Sequence, residues 1–366
     1  MAHEEIPWFI PIMTGGELDN LKGVIDRNFL NDGPLTRQFE ARVAEIAGVR
    51  HCIAVTSGTA AISLALMALG VGAGDEVIVP DLTFIATANA VRLTGATVRL
   101  VDIEPHRFAI DPDAVAAAIG PRTKAVVAVD VNGRGAAYDV LEPLCHERGL
   151  HLVCDAAEAL GSRYGGRPLG SYGDAACFSF SAAKTVTAGQ GGMVATDSTE
   201  VYERLIQLKD QGRPVRGTGG DDPHPVLGYN FKFTDLQAAV ALAQLDAFAA
   251  RLQRAGERDR WYREALSDLS EIQFPAGSNQ PGEVRQWTDI LTERREAIRA
   301  ALAEAAIGCR GFWFPLHRQP PYADQKGSFA KALSVSARGL WLPSSFDITP
   351  IQVARTADVI RRALRA

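Results

Sequence analysis

His51-Cys-Ile-Ala-Val55-Thr-Ser57-Gly58-Thr59-Ala60-Ala61-Ile-Ser-Leu-Ala-Leu-Met-Ala-Leu69 holds the reading on which the rest turns. An apolar run of strand length stops at a small polar cluster, and an apolar helix begins at once. The run does not alternate polar with apolar, so it predicts a strand covered on both faces. Similar runs recur at Glu76–Val79, Thr97–Val101, Ala125–Val129, His151–Cys154, Ala175–Phe180 and Gly192–Ala195. Helical patterns at Ile85–Leu93, Pro112–Ile119 and Leu141–Arg148 lie between them. Alternation of this kind predicts an α/β domain with a mostly parallel sheet.

Beyond about Thr199 a further helix is expected, then a Gly-, Pro- and Asp-rich loop at Gly212–Pro225 and one long amphipathic helix over Phe233–Leu252. After Pro275 the pattern changes to short runs near Trp287, Phe312–Phe314 and Leu340–Leu342, with helices near Glu293–Ala305 and Ile351–Leu364. Length agrees with two units, since 366 residues at roughly 150 per domain gives about two. The division expected is a large domain over 1–245 and a smaller α+β domain over 246–366.

Composition narrows the function classes. Hydrophobic residues at 47% and charged residues at 22% are those of an ordinary globular enzyme. Lys+Arg 38 against Asp+Glu 43 leaves a net charge of −5, with no basic field for nucleic acid. The five cysteines are scattered, without a C-x-x-C pair, and read as reduced thiols rather than zinc ligands, so no metal is expected. No secretory leader is read at the start, and the longest apolar stretch is too short for a bilayer, which points to the cytoplasm and no membrane partner.

Three strand ends carry chemistry. At Ser57-Gly58-Thr59 the exposed amides of a helix N-terminus, with hydroxyls beside them, can hold a phosphate; a simple cap would look the same. In Leu-Val-Cys-Asp155-Ala-Ala-Glu158 an acid ends an apolar strand, where ligands of open sheets gather, although it too could be a cap. In Phe178-Ser179-Phe-Ser-Ala-Ala-Lys184 a lysine sits between an apolar strand and the glycine-rich turn at Gly189–Gly192. Loss of hydration there frees the amine for Schiff-base chemistry. A phosphate cradle, an acid and a dry lysine on one sheet edge are what pyridoxal phosphate requires.

With Asp81-Leu-Thr83-Phe84-Ile-Ala86-Thr87-Ala-Asn89, Gly165–Asp174, Gly228-Tyr-Asn230-Phe-Lys-Phe-Thr234-Asp235-Leu-Gln237, Phe314-Pro-Leu-His317 and Leu342-Pro-Ser added, the sequence resembles the DegT/DnrJ/EryC1/StrS family from about Asn31 onward. These are pyridoxal-phosphate-dependent aminotransferases of nucleotide-linked keto sugars. The resemblance implies a type I fold with a mainly parallel seven-stranded sheet, a small C-terminal domain, and a homodimer with shared active sites. It implies Lys184 as the amine that binds the cofactor aldehyde and moves a proton, and Asp155 as the partner of the pyridine nitrogen. Phe84 would stack on the ring, and Glu158 would lie near its phenolic oxygen. Ser57, Gly58, Thr59 and Ser179 would hold the phosphate, with Asn230 reaching in from the partner subunit. Asn31, His317 and Tyr322 fall toward the sugar.

The implied reaction passes the amino group of L-glutamate, by way of pyridoxamine phosphate, to a nucleotide-linked keto-deoxysugar. The segments Tyr229–Asp235 and Leu316–Tyr322 look most like perosamine-type enzymes, which favours C4 of a 4-keto-6-deoxyhexose over C3. Dehydratase relatives carry histidine in place of the lysine, so Lys184 argues against them. No basic helix-turn-helix supports a DNA-binding regulator, and no G-x-G-x-x-G follows the first strand to support a nicotinamide enzyme. Two departures from the family stand out. Where many members read Val-His-Leu-Tyr-Gly, this chain reads Val129-Asp130-Val-Asn132-Gly133, at a place expected near the substrate. The stretch from Gly277 to the Glu293 helix is also shorter than usual.

Overall fold

The computed structural model describes residues 5–216, 223–275 and 281–365. Part of the Gly212–Pro225 loop and the Gly277 end of the short stretch therefore lie outside the described residues.

Seven strands form one sheet: β1 (His51–Val55), β2 (Glu76–Pro80), β3 (Thr97–Val101), β4 (Thr123–Val129), β5 (His151–Asp155), β6 (Ala175–Ser179) and β7 (Gly192–Thr196). Their order is β1-β7-β6-β5-β4-β2-β3. Only β7 runs against its neighbours, pairing antiparallel with both β1 and β6. All other pairings are parallel. The sheet is thus mainly parallel, as the uninterrupted apolar runs predict.

Those runs are apolar because each strand feeds two cores. In β4, Ala125, Val127 and Val129 enter one hydrophobic cluster, while Val126 and Ala128 enter the cluster on the other face. The helix Gly58–Ala68 is buried nearly all round, which explains its lack of a polar face. A third cluster, including Tyr262, Ile290, Leu340 and Ile360, packs around a three-stranded sheet. Its strands are β8 (Asp289–Leu291), β9 (Arg310–Gly311) and β10 (Gly339–Trp341), in the order β8-β10-β9.

The single helix expected over 233–252 is instead two, Asp235–Asp246 and Phe248–Ala265. The first starts at a capping box between Thr234 and Gln237. At Ala247 the backbone leaves helical geometry, with φ −91° and ψ 1°. The reason is a change of neighbours. Beyond the break Phe248, Arg251, Ala255, Arg258 and Tyr262 form a new buried stripe at helical spacing, which turns toward the C-terminal segments.

The chain from 282 to 289 lies against the turn after β4. Gly133, at φ +82°, sits where an added Cβ would come 2.0 Å from the Val284 carbonyl oxygen. Ser162 ties the same segment, donating from Oγ to the Val284 oxygen at 3.1 Å and accepting from the Val284 N–H at 2.9 Å. Gly133→Ala meets both a left-handed backbone and a backbone clash, so it should lose about 2–4 kcal/mol in urea denaturation. An unchanged midpoint would mean this turn is not pinned.

Candidate active site

β1, β2, β4, β5 and β6 all end on one edge of the sheet, and the loops leaving that edge enclose a cavity of about 320 Å³. It is lined by Ser57, Gly58, Thr59, Phe84, Asp155, Glu158, Ser179 and Lys184, so eight of the sequence-derived residues meet in one place. A larger, shallow depression of about 550 Å³ lies near Glu5, Arg299 and Cys309. Two of its charged groups are paired with each other, Arg299 with Glu296 at 3.0 Å.

At one end of the cavity Ser57 caps the helix Gly58–Ala68, its Oγ accepting from the Ala60 N–H at 3.1 Å. Helix geometry leaves the amides of Gly58 and Thr59 without intrahelical acceptors, and they point partial positive charge at this end. Close approach is built in. A Cβ on Gly58 would come 3.0 Å from that of Ser179, and one on Gly192 would come 2.1 Å from the Ser57 carbonyl oxygen.

At the other end Asp155 closes β5. One carboxylate oxygen accepts from Thr87 Oγ1 at 2.7 Å and the other from the Ala157 N–H at 3.2 Å. Thr87 in turn shares a 2.9 Å hydrogen bond with Thr83. Burial, with the nearby Glu158 charge, pushes the Asp155 carboxyl up to about 6, against the pull of Thr87, Ala157 and Lys184. Neutral donors alone do not make this site comfortable for a negative charge.

Between the two ends Lys184 Nζ donates to Glu158 Oε1 at 3.2 Å and lies 5.2 Å from the centre of the Trp287 ring. Phe84 is 51% exposed although it lines the cavity, an apolar face presented to whatever enters. The donor set fits pyridoxal phosphate. A helix N-terminus with hydroxyls suits a phosphate, a buried carboxylate suits a protonated ring nitrogen, and an amine stands between them.

The remaining sequence-derived residues lie elsewhere in the single chain. Asn230 is exposed and forms a bridge with Asp210. The Asn31 carbonyl accepts from the Asp235 N–H at 3.0 Å. His317 Nδ1 is 2.7 Å from Asp81 Oδ2, and its ring stacks on Phe329. Tyr322 is buried and donates to Asn89 Oδ1 at 2.7 Å. None of these four lines the cavity. Thr83, Thr87, Gln190, Trp287, Arg310 and Trp313 also line it, and the sequence reading gave none of them a role. Two of them, Thr83 in the loop after β2 and Thr87 in the first turn of the helix Ala86–Leu93, are brought together by the chain entering that helix. Trp287, Arg310 and Trp313 come from segments far along the chain and carry no local signature.

A model of the DegT/DnrJ/EryC1/StrS aminotransferase family matches residues 11–361. The chain is 34% identical over 359 residues to GDP-perosamine synthase of Escherichia coli O157:H7, covering 97% of both. It is 37% identical over 331 residues to UDP-N-acetyl-3-dehydro-alpha-D-glucosamine 3-aminotransferase of Acidithiobacillus ferrooxidans, covering 90% of this chain and 88% of that one. Among solved structures, the PLP form of Spr1654 from Streptococcus pneumoniae superposes with a TM-score of 0.92 at 26% identity, over 99% of each chain.

Asp155 holds its proton more tightly folded than unfolded, so its contribution to stability is complete below pH about 3.8 and is lost as the pH rises through about 6. In cofactor-free protein at pH 8, Asp155→Asn should relieve about 3 kcal/mol of this cost. It gives up one acceptor, worth about 1 kcal/mol. Denaturation should therefore find the variant more stable than the parent at pH 8 and less stable at pH 4. A pH-independent difference would refute the assignment of a strained carboxylate.

Proposed function

The chain belongs to the DegT/DnrJ/EryC1/StrS aminotransferase family, and on that premise we propose that it passes the amino group of L-glutamate to C4 of a nucleotide-linked 4-keto-6-deoxyhexose. It is a pyridoxal-phosphate-dependent aminotransferase acting on nucleotide sugars. The observation that carries the reading is the meeting of Lys184, Asp155 and the Gly58 helix end in one cavity. When bound, pyridoxal phosphate supplies an aldehyde that takes up the amino group and a ring that accepts the electron pair released at the substrate carbon.

The chain's own residues supply the rest. The amides of Gly58 and Thr59, with the Ser57 and Ser179 hydroxyls, would hold the phosphate. Asp155, hydrogen-bonded at the end of β5 only to the neutral donors Thr87 and Ala157 among the described residues, would keep a proton on the ring nitrogen; that positive charge in turn favours the ionised carboxylate. Phe84 would cover the ring face. Lys184 Nζ would carry the proton to and from the substrate carbon, and Glu158 at 3.2 Å would receive and return it. Trp287 and Trp313 on the far wall would exclude water from the amine.

C4 amination is favoured by the perosamine-synthase relative. The 3-aminotransferase relative keeps C3 as the second reading. A homodimer belongs to the same proposal. Leu18, Ile25 and Leu227 are large apolar side chains standing well out of the surface, and a second copy would take such area out of water. Such a copy would bring Asn230 toward the neighbouring phosphate end.

Purified protein given L-glutamate and a nucleotide-4-keto-6-deoxyhexose should release 2-oxoglutarate and a 4-amino sugar. Amination only at C3, or of no such sugar, would count against the substrate assignment. Borohydride reduction and peptide mapping should find the cofactor on Lys184, and Lys184→Ala should lose both that adduct and turnover. An adduct on another residue would overturn the assignment of the amine.

A further inference from the structure

Asn132 sits in the turn after β4, wholly buried, with the left-handed backbone φ 54°, ψ 37°. Asparagine accepts this conformation more readily than most residues. Its side-chain amide is matched on both sides to one partner. Oδ1 accepts from the Trp287 N–H at 2.8 Å, and Nδ2 donates to the Trp287 carbonyl at 2.7 Å. The second Nδ2 proton goes to Asp289 Oδ2 at 2.9 Å. Asp289 is held ionised, below its usual range, by Arg134 and Arg285 despite its burial. The donor and acceptor ends of the amide are therefore fixed by its surroundings.

The main chain of the same residue points the other way, its N–H donating to Glu158 Oε2 at 2.9 Å. The other oxygen of Glu158 accepts from Lys184 Nζ, which lies over the Trp287 ring. The contacts close a circuit: Asn132 to Glu158, Glu158 to Lys184, Lys184 to Trp287, and Trp287 back to Asn132. Asn132 itself does not line the cavity.

We propose that Asn132 is a positioning residue for amine transfer, fixing from one buried site both the carboxylate and the indole between which Lys184 Nζ is held. A lysine side chain has four rotatable bonds, and a proton transfer to a defined carbon loses rate when the amine is free to wander. The inference rests on Lys184 being the reacting amine. It is separable from a bracing role because other contacts already hold the docked segment. Arg134 of the same turn pairs with Asp289 at 2.7 Å, and elsewhere the Arg163 N–H reaches the Gly282 carbonyl at 2.9 Å.

The test uses Asn132→Gly in the holoenzyme. Glycine keeps the left-handed backbone and the N–H to Glu158 but removes the amide. kcat should fall about 10- to 100-fold. KM for L-glutamate and for the keto sugar should stay within about threefold. The borohydride adduct on Lys184 should persist in the variant; its absence from the parent holoenzyme would sink the lysine reading instead. Combined with Glu158→Gln, the loss should be no greater than the larger single loss to within about threefold, because both act on one amine. In cofactor-free protein, the emission of Trp287, taken as the difference from a Trp287→Phe background, should shift in the variant. Unchanged kcat, losses that multiply, or unchanged Trp287 emission would each overturn the proposal. Should the glycine variant not fold, the near-isosteric Asn132→Asp carries the same expectations, since it keeps the acceptor for the Trp287 N–H but has at most one donor for two acceptors, the Trp287 carbonyl and Asp289.

Discussion

Asp155 ends the middle strand of the sheet with its carboxylate out of water, and the surrounding site is shaped by that burial. A hydroxyl from Thr87 and an amide from Ala157 offset part of the desolvation, and the remainder appears as a carboxyl pushed up to about 6. The next strand end repeats the situation. Asp130 is fully buried and pushed up to about 7 by burial and by the Asp155 charge, against the pull of Tyr138 and Ala136, which donate to one of its oxygens, and of the Arg107 charge. Two strained acids on adjacent strands give this sheet edge an appetite for positive charge. Of the two, Asp155 lines the cavity, where a cationic group would satisfy it and a neutral one would not.

The opposite end of the cavity has the complementary character. Helix Gly58–Ala68 turns its first amides toward the space, and Ser57 accepts from the Ala60 N–H while its own hydroxyl proton remains to be donated. A ligand filling the cavity therefore meets both amide donors and a carboxylate, with the Lys184 amine in the same lining. That polarity follows from parallel topology. Parallel strands bring their carboxyl ends to one edge, so residues from β1, β2, β5 and β6, far apart in sequence, share a site without any long loop.

Much of this was legible in the chain. The strands announced themselves because both faces are buried, and Ser57, Asp155 and Lys184 stood out as polar residues at the ends of apolar runs. What escaped was anything decided by contacts across the sequence. Trp287 gives no local cue that its ring will face Lys184 from more than a hundred residues away. The break at Ala247 was hidden because each half of the helix is a good helix by itself, and only the change of packing partner separates them. His317 and Tyr322 were expected on the sugar side by resemblance. In the structure both tie the C-terminal part to the loop and helix after β2, through Asp81 and Asn89. Partners buried at that distance leave no periodicity to read.

The departure at Asp130 and Asn132 shows how one such hidden contact changes the meaning of a motif. From the sequence the segment read as a difference near the substrate, yet neither residue lines the cavity. An amide has a donor and an acceptor side by side at the spacing of those two backbone groups, and it tolerates the left-handed turn that aims its own N–H at Glu158. Asparagine thus meets a demand made jointly by backbone conformation and by two partners on different segments. The same demand explains why Gly133 follows it: the docked segment passes so close to the turn that there is no room for a Cβ beside the Val284 carbonyl.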